Sequence, residues 1–438
     1  MDLISFLALL IFFGGYTLIT LEHKLGTNKS AISLVLGATL WILASFVVPR
    51  DVISHLLHDA GTEIFSIIAF LLAAMALVEI LIHYRFFDII RTKLAKLHLK
   101  DKKQFAVMGV LTFFLSAVLD NLTVTIVMIQ IARQFFTGKN LIIVAAGIVI
   151  LANAGGAWSP IGDVTTIMLW LADKFSAMEI ITNTFIPSAI LGLISGWLIM
   201  RQLEDTKKDL IKDADIRLSR GERTVITVAL MSFSLPVIMN LVGLPPYLGL
   251  LLGLGIVWGL IEYAKYRSKT PTHLNANIER LLQKTDIASL QFFIGILLAV
   301  SALNAFGLLE QISVFVFGEN QEVLRVAIGS VVIGLLSAIV DNVPLTALSI
   351  DLIKITDPYV WTFIALTVGT GGSALVIGSV SGVVAMGMVK DLTFGNYLKI
   401  ATIPALVGYF AAVIAYAIIF YLFDRDAFLT LLPVTNLL

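Results

Sequence analysis

The sequence predicts an all-α polytopic membrane protein. It consists of two inverted-topology repeats, each with a re-entrant helical hairpin and a broken transmembrane helix. Three observations lead there. Apolar runs long enough to cross a bilayer recur from one end of the 438 residues to the other, where about 20 residues suffice for one crossing. Four of these runs, at 104–135, 141–173, 323–355 and 358–390, are far longer than one crossing needs and carry polar or Gly-rich residues at their centres. Three polar motifs also occur twice, in the same order and at nearly one offset.

Composition narrows the function classes. The chain is 58% hydrophobic and 14% charged, against about half and a quarter in soluble domains. A net charge of zero argues against a nucleic-acid partner. With no cysteine, disulfides, thiolate metal sites and cysteine nucleophiles are excluded. The six histidines are scattered and form no HExxH-like cluster.

The candidate spans are 2–20, 31–49, 62–84, 104–135, 141–173, 179–201, 223–242, 246–264, 286–307, 323–355, 358–390 and 397–423. The first lacks a basic leader and a small-residue cleavage site, so it reads as a retained span. The four overlong segments are either hairpins or broken helices, because non-helical backbone at membrane depth needs protein or a water-filled cavity around it. Orientation follows the basic residues. The segment 85–103, RFFDIIRTKLAKLHLKDKK, interleaves apolar and basic residues as an interfacial amphipathic helix does. Together with the charged loops 201–223 and 265–284 it is placed in the cytoplasm. That placement works if 104–135 and 323–355 are hairpins, which gives ten spans and both termini outside. The same charges also accommodate a chain in which 104–135 crosses and 141–173 is the hairpin. The domain reading is 1–202 for the first repeat, 203–222 for a cytoplasmic linker and 223–438 for the second.

The duplication is specific. SAVLDNLTVTIVMI at 116–129 matches SAIVDNVPLTALSI at 337–350, and NAGGAWSPIGDVTT at 153–166 matches GTGGSALVIGSVSG at 369–382. TEIFSIIAF at 62–70 matches TDIASLQFF at 285–293. Inverted repeats whose interrupted helices meet at the midplane are a signature of secondary transporters.

The duplicated motif also carries chemistry. A carboxylate in hydrocarbon costs about 2.5–3.5 kcal/mol or more, yet Asp120 and Asp341 stand at the centres of apolar segments, each followed by an asparagine, Asn121 or Asn342. Hydroxyls flank both, with Ser116, Thr123 and Thr125 in one copy and Ser337 and Thr346 in the other. Pro344 helps to break its helix and free a carbonyl. Carboxylate, amide, hydroxyl and carbonyl oxygens are what a hard cation takes. The second motif is asymmetric: Asp163 stands where the other copy has Ser379, Asn153 where it has Gly369, and Thr165 matches Ser381. Three midplane carboxylates, Asp120, Asp163 and Asp341, are therefore expected near one another. Burial and like charge both favour the protonated form, so a cation entering such a site displaces protons. Glu63 and Asp286, repeat partners at the starts of spans, are read as interfacial caps or ion-path residues. Glu79 and His83 are read as an interfacial pair, and GLLLG at 249–253 as a helix-packing motif.

At these residues the chain resembles the NhaD-type sodium/proton antiporters of the ion transporter superfamily, over about 29–424. The resemblance implies an inverted-repeat fold with a dimerising scaffold. It implies exchange of Na+ or Li+ for protons across a bacterial inner membrane, favoured at alkaline pH and serving pH homeostasis, with no cofactor and a homodimeric assembly. By position, Asp120, Asn121, Asn153, Asp163, Thr165, Ser337, Asp341 and Asn342 form the implied functional polar set. Dicarboxylate carriers of the superfamily have Ser-Asn-Thr at the hairpin tips, where this chain has Asp-Asn-Leu-Thr and Asp-Asn-Val-Pro. A fixed carboxylate at each tip repels an anionic substrate. Arsenite or other small-solute permeases are the alternative within the superfamily. An intramembrane aspartyl protease fits poorly, because PIGD at 160–163 lacks the first glycine of that family's motif, no Tyr-Asp pair exists, and the duplication would be unexplained. Cation channels usually use charged rings or carbonyl filters, which broken repeats do not suggest.

Overall fold

In hydrocarbon every backbone polar group must be paired within the chain, so apolar segments of this length wind into helices. The structure, a computed structural model, describes residues 3–20, 26–205, 218–267, 283, 285–317 and 321–423. Among the described residues it is helical with no strand. Seven helices are long and apolar enough to cross a membrane, and three shorter apolar helices, Leu3–Ile19, Lys29–Ala44 and Val323–Leu336, accompany them. The protein is a polytopic membrane protein. Much of the two charged loops, at 206–217 and 268–282, lies outside the described residues.

The first helices are α1 (Leu3–Thr20), α2 (Lys29–Ala44), α3 (Arg50–His83) and α4 (Phe86–Ala95). Two expectations change here. The span expected at 62–84 is the second part of the 34-residue α3, which begins with the charged turns after Pro49. Glu63 therefore lies in mid-helix, exposed, and caps nothing at a helix start. The basic segment is α4, set off by Arg85 in the left-handed region at φ 62°.

The hairpin and broken-helix candidates follow. Helices α5 (Asp101–Ser116) and α6 (Asn121–Phe135) are joined by a four-residue link. Helices α7 (Gly138–Gly156) and α8 (Val164–Leu171) are separated by a non-helical stretch, and α9 (Ala177–Arg201) opens on a Ser176–Glu179 capping box. The second half begins with α10 (Arg220–Ser232), α11 (Leu235–Leu241) and α12 (Pro246–Arg267). The expected span 223–242 is thus two helices, with Pro236 near the start of the second, where its missing N–H costs nothing. Next come α13 (Ile287–Ala305), α14 (Leu308–Phe317), α15 (Val323–Leu336), α16 (Asn342–Leu352) and α17 (Pro358–Gly371). A short 3-10 turn (Gly372–Ala374) leads to α18 (Val380–Met388), α19 (Phe394–Ile400) and α20 (Thr402–Phe423). The last expected span, 397–423, is likewise divided, at Ala401.

The chain forms two compact units, neither of which is a sequence repeat. One comprises Met1–Ala60, Asp101–Asp205 and Phe292–Leu438; the other comprises Gly61–Lys100 and Thr206–Gln291. In the smaller unit Gly249 abuts the backbone of Leu235 and Pro236, and Gly253 abuts Ser232. The GLLLG motif therefore serves packing within the chain.

In the larger unit the two repeats pack alike. Helix α5 lies on α7, and its counterpart α15 lies on α17. The helices that carry the two motif copies also exchange arms: α6 packs on α18, and α16 packs on α8. Close approach is built into the sequence at equivalent glycines. A Cβ on Gly155 would strike the backbone of Phe113, and one on Gly371 the backbone of Gly334.

Candidate functional site

All eight residues of the predicted polar set lie in the larger unit, at the ends of helices that stop short. The links between α5 and α6 and between α15 and α16 each finish in an aspartate that caps the returning helix. Asp120 accepts from the backbone N–H of Thr123 at 2.9 Å and from its hydroxyl at 2.6 Å, one on each carboxylate oxygen. Asp341 accepts from the Val343 N–H at 3.3 Å through Oδ1, while its Oδ2 faces Lys29 Nζ at 3.7 Å. Both aspartates are half-buried.

One residue further on, the two repeats converge. Asn121 donates its amide to Asp163 Oδ1 at 3.1 Å and to Asn153 Oδ1 at 3.1 Å. Asn342, its repeat partner, donates to Asp163 Oδ2 at 3.3 Å. A single buried carboxylate is therefore held by the same amide from both repeats, one on each oxygen. It sits in the gap between α7 and α8, where Asp163 N-caps α8 in a capping box with Thr166. The anion thus meets a helix N-terminus, whose free N–H groups favour negative charge.

The asymmetry noticed in the sequence has a packing reason. Gly369 stands against Asp163, so that a Cβ there would lie 3.0 Å from Oδ2. Its counterpart in the first repeat is Asn153, whose amide instead donates to Ser379 Oγ at 3.2 Å and Ser373 Oγ at 2.9 Å. A long polar side chain thus faces a small residue at both related positions, Asp163 against Gly369 and Asn153 against Ser379. Ser373 and Ser379 were missed as partners. Ser379 was legible as the counterpart of Asp163, but Ser373 has no polar counterpart to mark it.

Ser337 and Ser116 occupy equivalent posts. Ser116 donates to the Ala152 carbonyl at 2.6 Å. Ser337 donates to the Gly334 and Val368 carbonyls at 2.9 and 3.0 Å. Each ties a hairpin candidate to the broken helix beside it. The Thr165 hydroxyl lies beside Asp163, and those of Thr125 and Ser381 are buried without a hydrogen-bond partner. Buried polar atoms are normally paired, so such hydroxyls stand out.

One expectation is corrected. The three aspartates do not gather into one carboxylate cluster, and among the described residues no group of three or more His, Cys, Asp or Glu is placed to hold a metal ion. Asp120 is turned into its own cap, Asp341 faces an ammonium, and Asp163 is surrounded by amides and hydroxyls.

A family model for citrate transporters matches residues 16–369. The chain belongs to the citrate transporter family. It is 37% identical, over 93% of its own length and 72% of the relative's, to sodium/proton antiporter 1 of Arabidopsis thaliana. It is 35% identical to sodium/proton antiporter 2 of the same plant, over 93% of this chain and 98% of that one. It is 29% identical to the Na+/H+ antiporter NhaD of Alkalimonas amylolytica, over 97% and 93%. The resemblance seen in the duplicated Asp-Asn motif is thus a relationship that runs through most of the chain.

Proposed function

We propose that this chain exchanges Na+ or Li+ for protons across a bacterial inner membrane, with cation and protons competing for the same buried aspartates. The observation that carries the reading is Asp163, one carboxylate clasped by Asn121 and Asn342. The relatives named as sodium/proton antiporters agree with it. In this reading Asp163 is the central ligand. Asn121, Asn342, Asn153 and the Thr165 hydroxyl supply neutral oxygens, and Asp120 and Asp341 flank them. Hard oxygen donors of this kind suit a small monovalent cation better than an anion. With no cation present, the carboxylate is relieved by a proton, because desolvation penalises its charged form. Binding a cation releases that proton, and the exchange follows from the competition.

The transporter reading extends to the architecture. Helices α5 and α6 have 16 and 15 residues, or about 24 and 22 Å at 1.5 Å per residue, short of a hydrocarbon core of about 30 Å. We read each pair as a re-entrant hairpin, and the pairs α7–α8 and α17–α18 as broken helices of two inverted repeats. Asp-Asn at the two tips then meets at the midplane, the arrangement used for alternating access. A homodimer is part of the same proposal.

The family's description favours a second reading, citrate transport. Fixed carboxylates repel a polyanion, which places this second. Proteoliposomes holding the purified protein and a lumenal pH dye separate the two. Na+ or Li+ added outside is expected to dissipate an acid-inside gradient at alkaline pH, and D163N to abolish the response. Silence toward Na+, Li+ and K+ in folded protein, with saturable citrate or arsenite flux, would replace the antiporter reading.

A further inference from the structure

The two tip aspartates are equivalent in sequence but not in partners, and the difference begins with one residue. Asp120 is followed three residues on by Thr123, which supplies both an N–H and a hydroxyl to its carboxylate. At the equivalent position Asp341 is followed by Pro344, which has neither donor. Its Oδ2 instead faces Lys29 Nζ, from the first residue of α2, at 3.7 Å. That separation is too long for a hydrogen bond, so the pair is held by charge. The pair is well enclosed, with side chains 18% and 14% exposed. The ammonium also lies 4.5 Å from the centre of the Phe292 ring, a cation–π contact that holds it on an apolar wall. Asp341 also acts electrostatically on Tyr16 and Asp163. Among the described residues Asp120 makes no ion pair at all.

From this we infer that Lys29 is a tethered cation that competes with the transported one for Asp341. The inference rests on the antiporter reading and deepens it by assigning a residue that sets cation affinity at the second tip. An ammonium on a flexible four-carbon stem is a compact monovalent charge. It neutralises Asp341 when no metal ion is bound and must move aside when one is. A loose ionic contact without a hydrogen bond is suited to that exchange. The first tip, satisfied by its own threonine, has no such competitor, so the two tips contribute unequally to cation affinity.

The test compares wild type with K29Q and K29R in proteoliposomes, reading the Na+ concentration for half-maximal exchange apart from the maximal rate. The same titration is followed by Na+-dependent melting of the detergent-solubilised protein. Removing the competitor is expected to lower half-saturation about three- to tenfold, between the worth of an exposed and a desolvated ion pair. K29R, which keeps the charge, is expected to restore it. A purely structural lysine would change melting temperature without this shift. Should K29Q not fold, K29Q/P344T returns to Asp341 the hydroxyl that Thr123 gives Asp120, and the same drop is expected. A folded variant with unchanged or raised half-saturation overturns the inference while wild-type Na+ exchange leaves the antiporter reading standing. A wild type indifferent to Na+ in both measurements overturns both.

Discussion

At the scale of single residues, the site depends on donors and acceptors that leave no slack around Asp163. Two amides from different repeats aim N–H groups at its two oxygens, so an amide in its place would set donor against donor. D163N is therefore expected to lose exchange and also about 1–3 kcal/mol of stability, the cost of a buried polar group left unpaired. Flux and chemical or thermal melting of the same preparation measure the two losses. A subtler probe is Gly369, whose only role against Asp163 is the absence of a Cβ. In G369A the new atom would stand 3.0 Å from Oδ2, tight enough to displace the carboxylate by a few tenths of an ångström. Half-saturating Na+ is expected to rise several-fold with the fold intact, since small misplacements of binding groups are costly. Unchanged affinity in G369A would show that the position of Asp163 does not set cation binding. Much of this chemistry was legible in the sequence, because a buried charge without an apparent partner draws attention wherever it stands, and duplication singled out Asp120 and Asp341. The partners were harder to read. Lys29 lies outside every repeat match, and the clasp on Asp163 depends on how α6 and α16 approach the α7–α8 gap, which no local pattern encodes.

At the scale of elements, the construction depends on pairs of helices meeting closely at glycine. Gly155 sits so near the backbone of Phe113 in α5, and Gly371 so near Gly334 in α15, that no side chain fits at either. G155A is expected to destabilise the protein by about 1–3 kcal/mol or prevent its folding, because overpacking must be relieved by moving backbone. Gly259 in α12 has open space where a Cβ would go, so G259A is expected to be neutral or to stabilise by up to about 1 kcal/mol. Melting curves of the two variants in one detergent make the comparison direct. The glycines were visible as aligned pairs, and their use as contact points between a hairpin candidate and a broken helix follows that alignment. Helix boundaries were less legible. The 34-residue α3 begins in charged turns that hydropathy assigns to a loop, and the divisions at Phe233–Ser234 and Ala401 fall inside stretches whose average hydropathy is that of one span. Hydropathy records where a segment meets lipid and is blind to a turn that neighbouring helices shield.

At the scale of the whole molecule, duplication with divergence is the central feature. Two copies of one motif supply matched arms, and differences at related positions make the proposed site asymmetric. Asp163 stands opposite Ser379, Gly369 opposite Asn153 and Pro344 opposite Thr123. If cation and protons share that site, their affinities are linked, and the linkage can be counted. Protons bound in the empty site must leave when the cation enters, so lowering pH raises half-saturating Na+ over the range in which those protons are held. The slope of log half-saturation against pH is minus the number of protons displaced per cation. A slope near −1 is expected if Asp163 alone exchanges, making transport of one cation for one proton electrically silent. A slope near −2 is expected if a second aspartate releases its proton in the same step, so that each turnover moves net charge and responds to membrane potential. Binding measured by Na+-dependent melting across pH gives the slope free of transport kinetics, and flux under imposed potentials checks the charge independently. A slope of zero across the active pH range would mean that cation and proton occupy separate groups. Coupling would then have to arise from a conformational change that senses both.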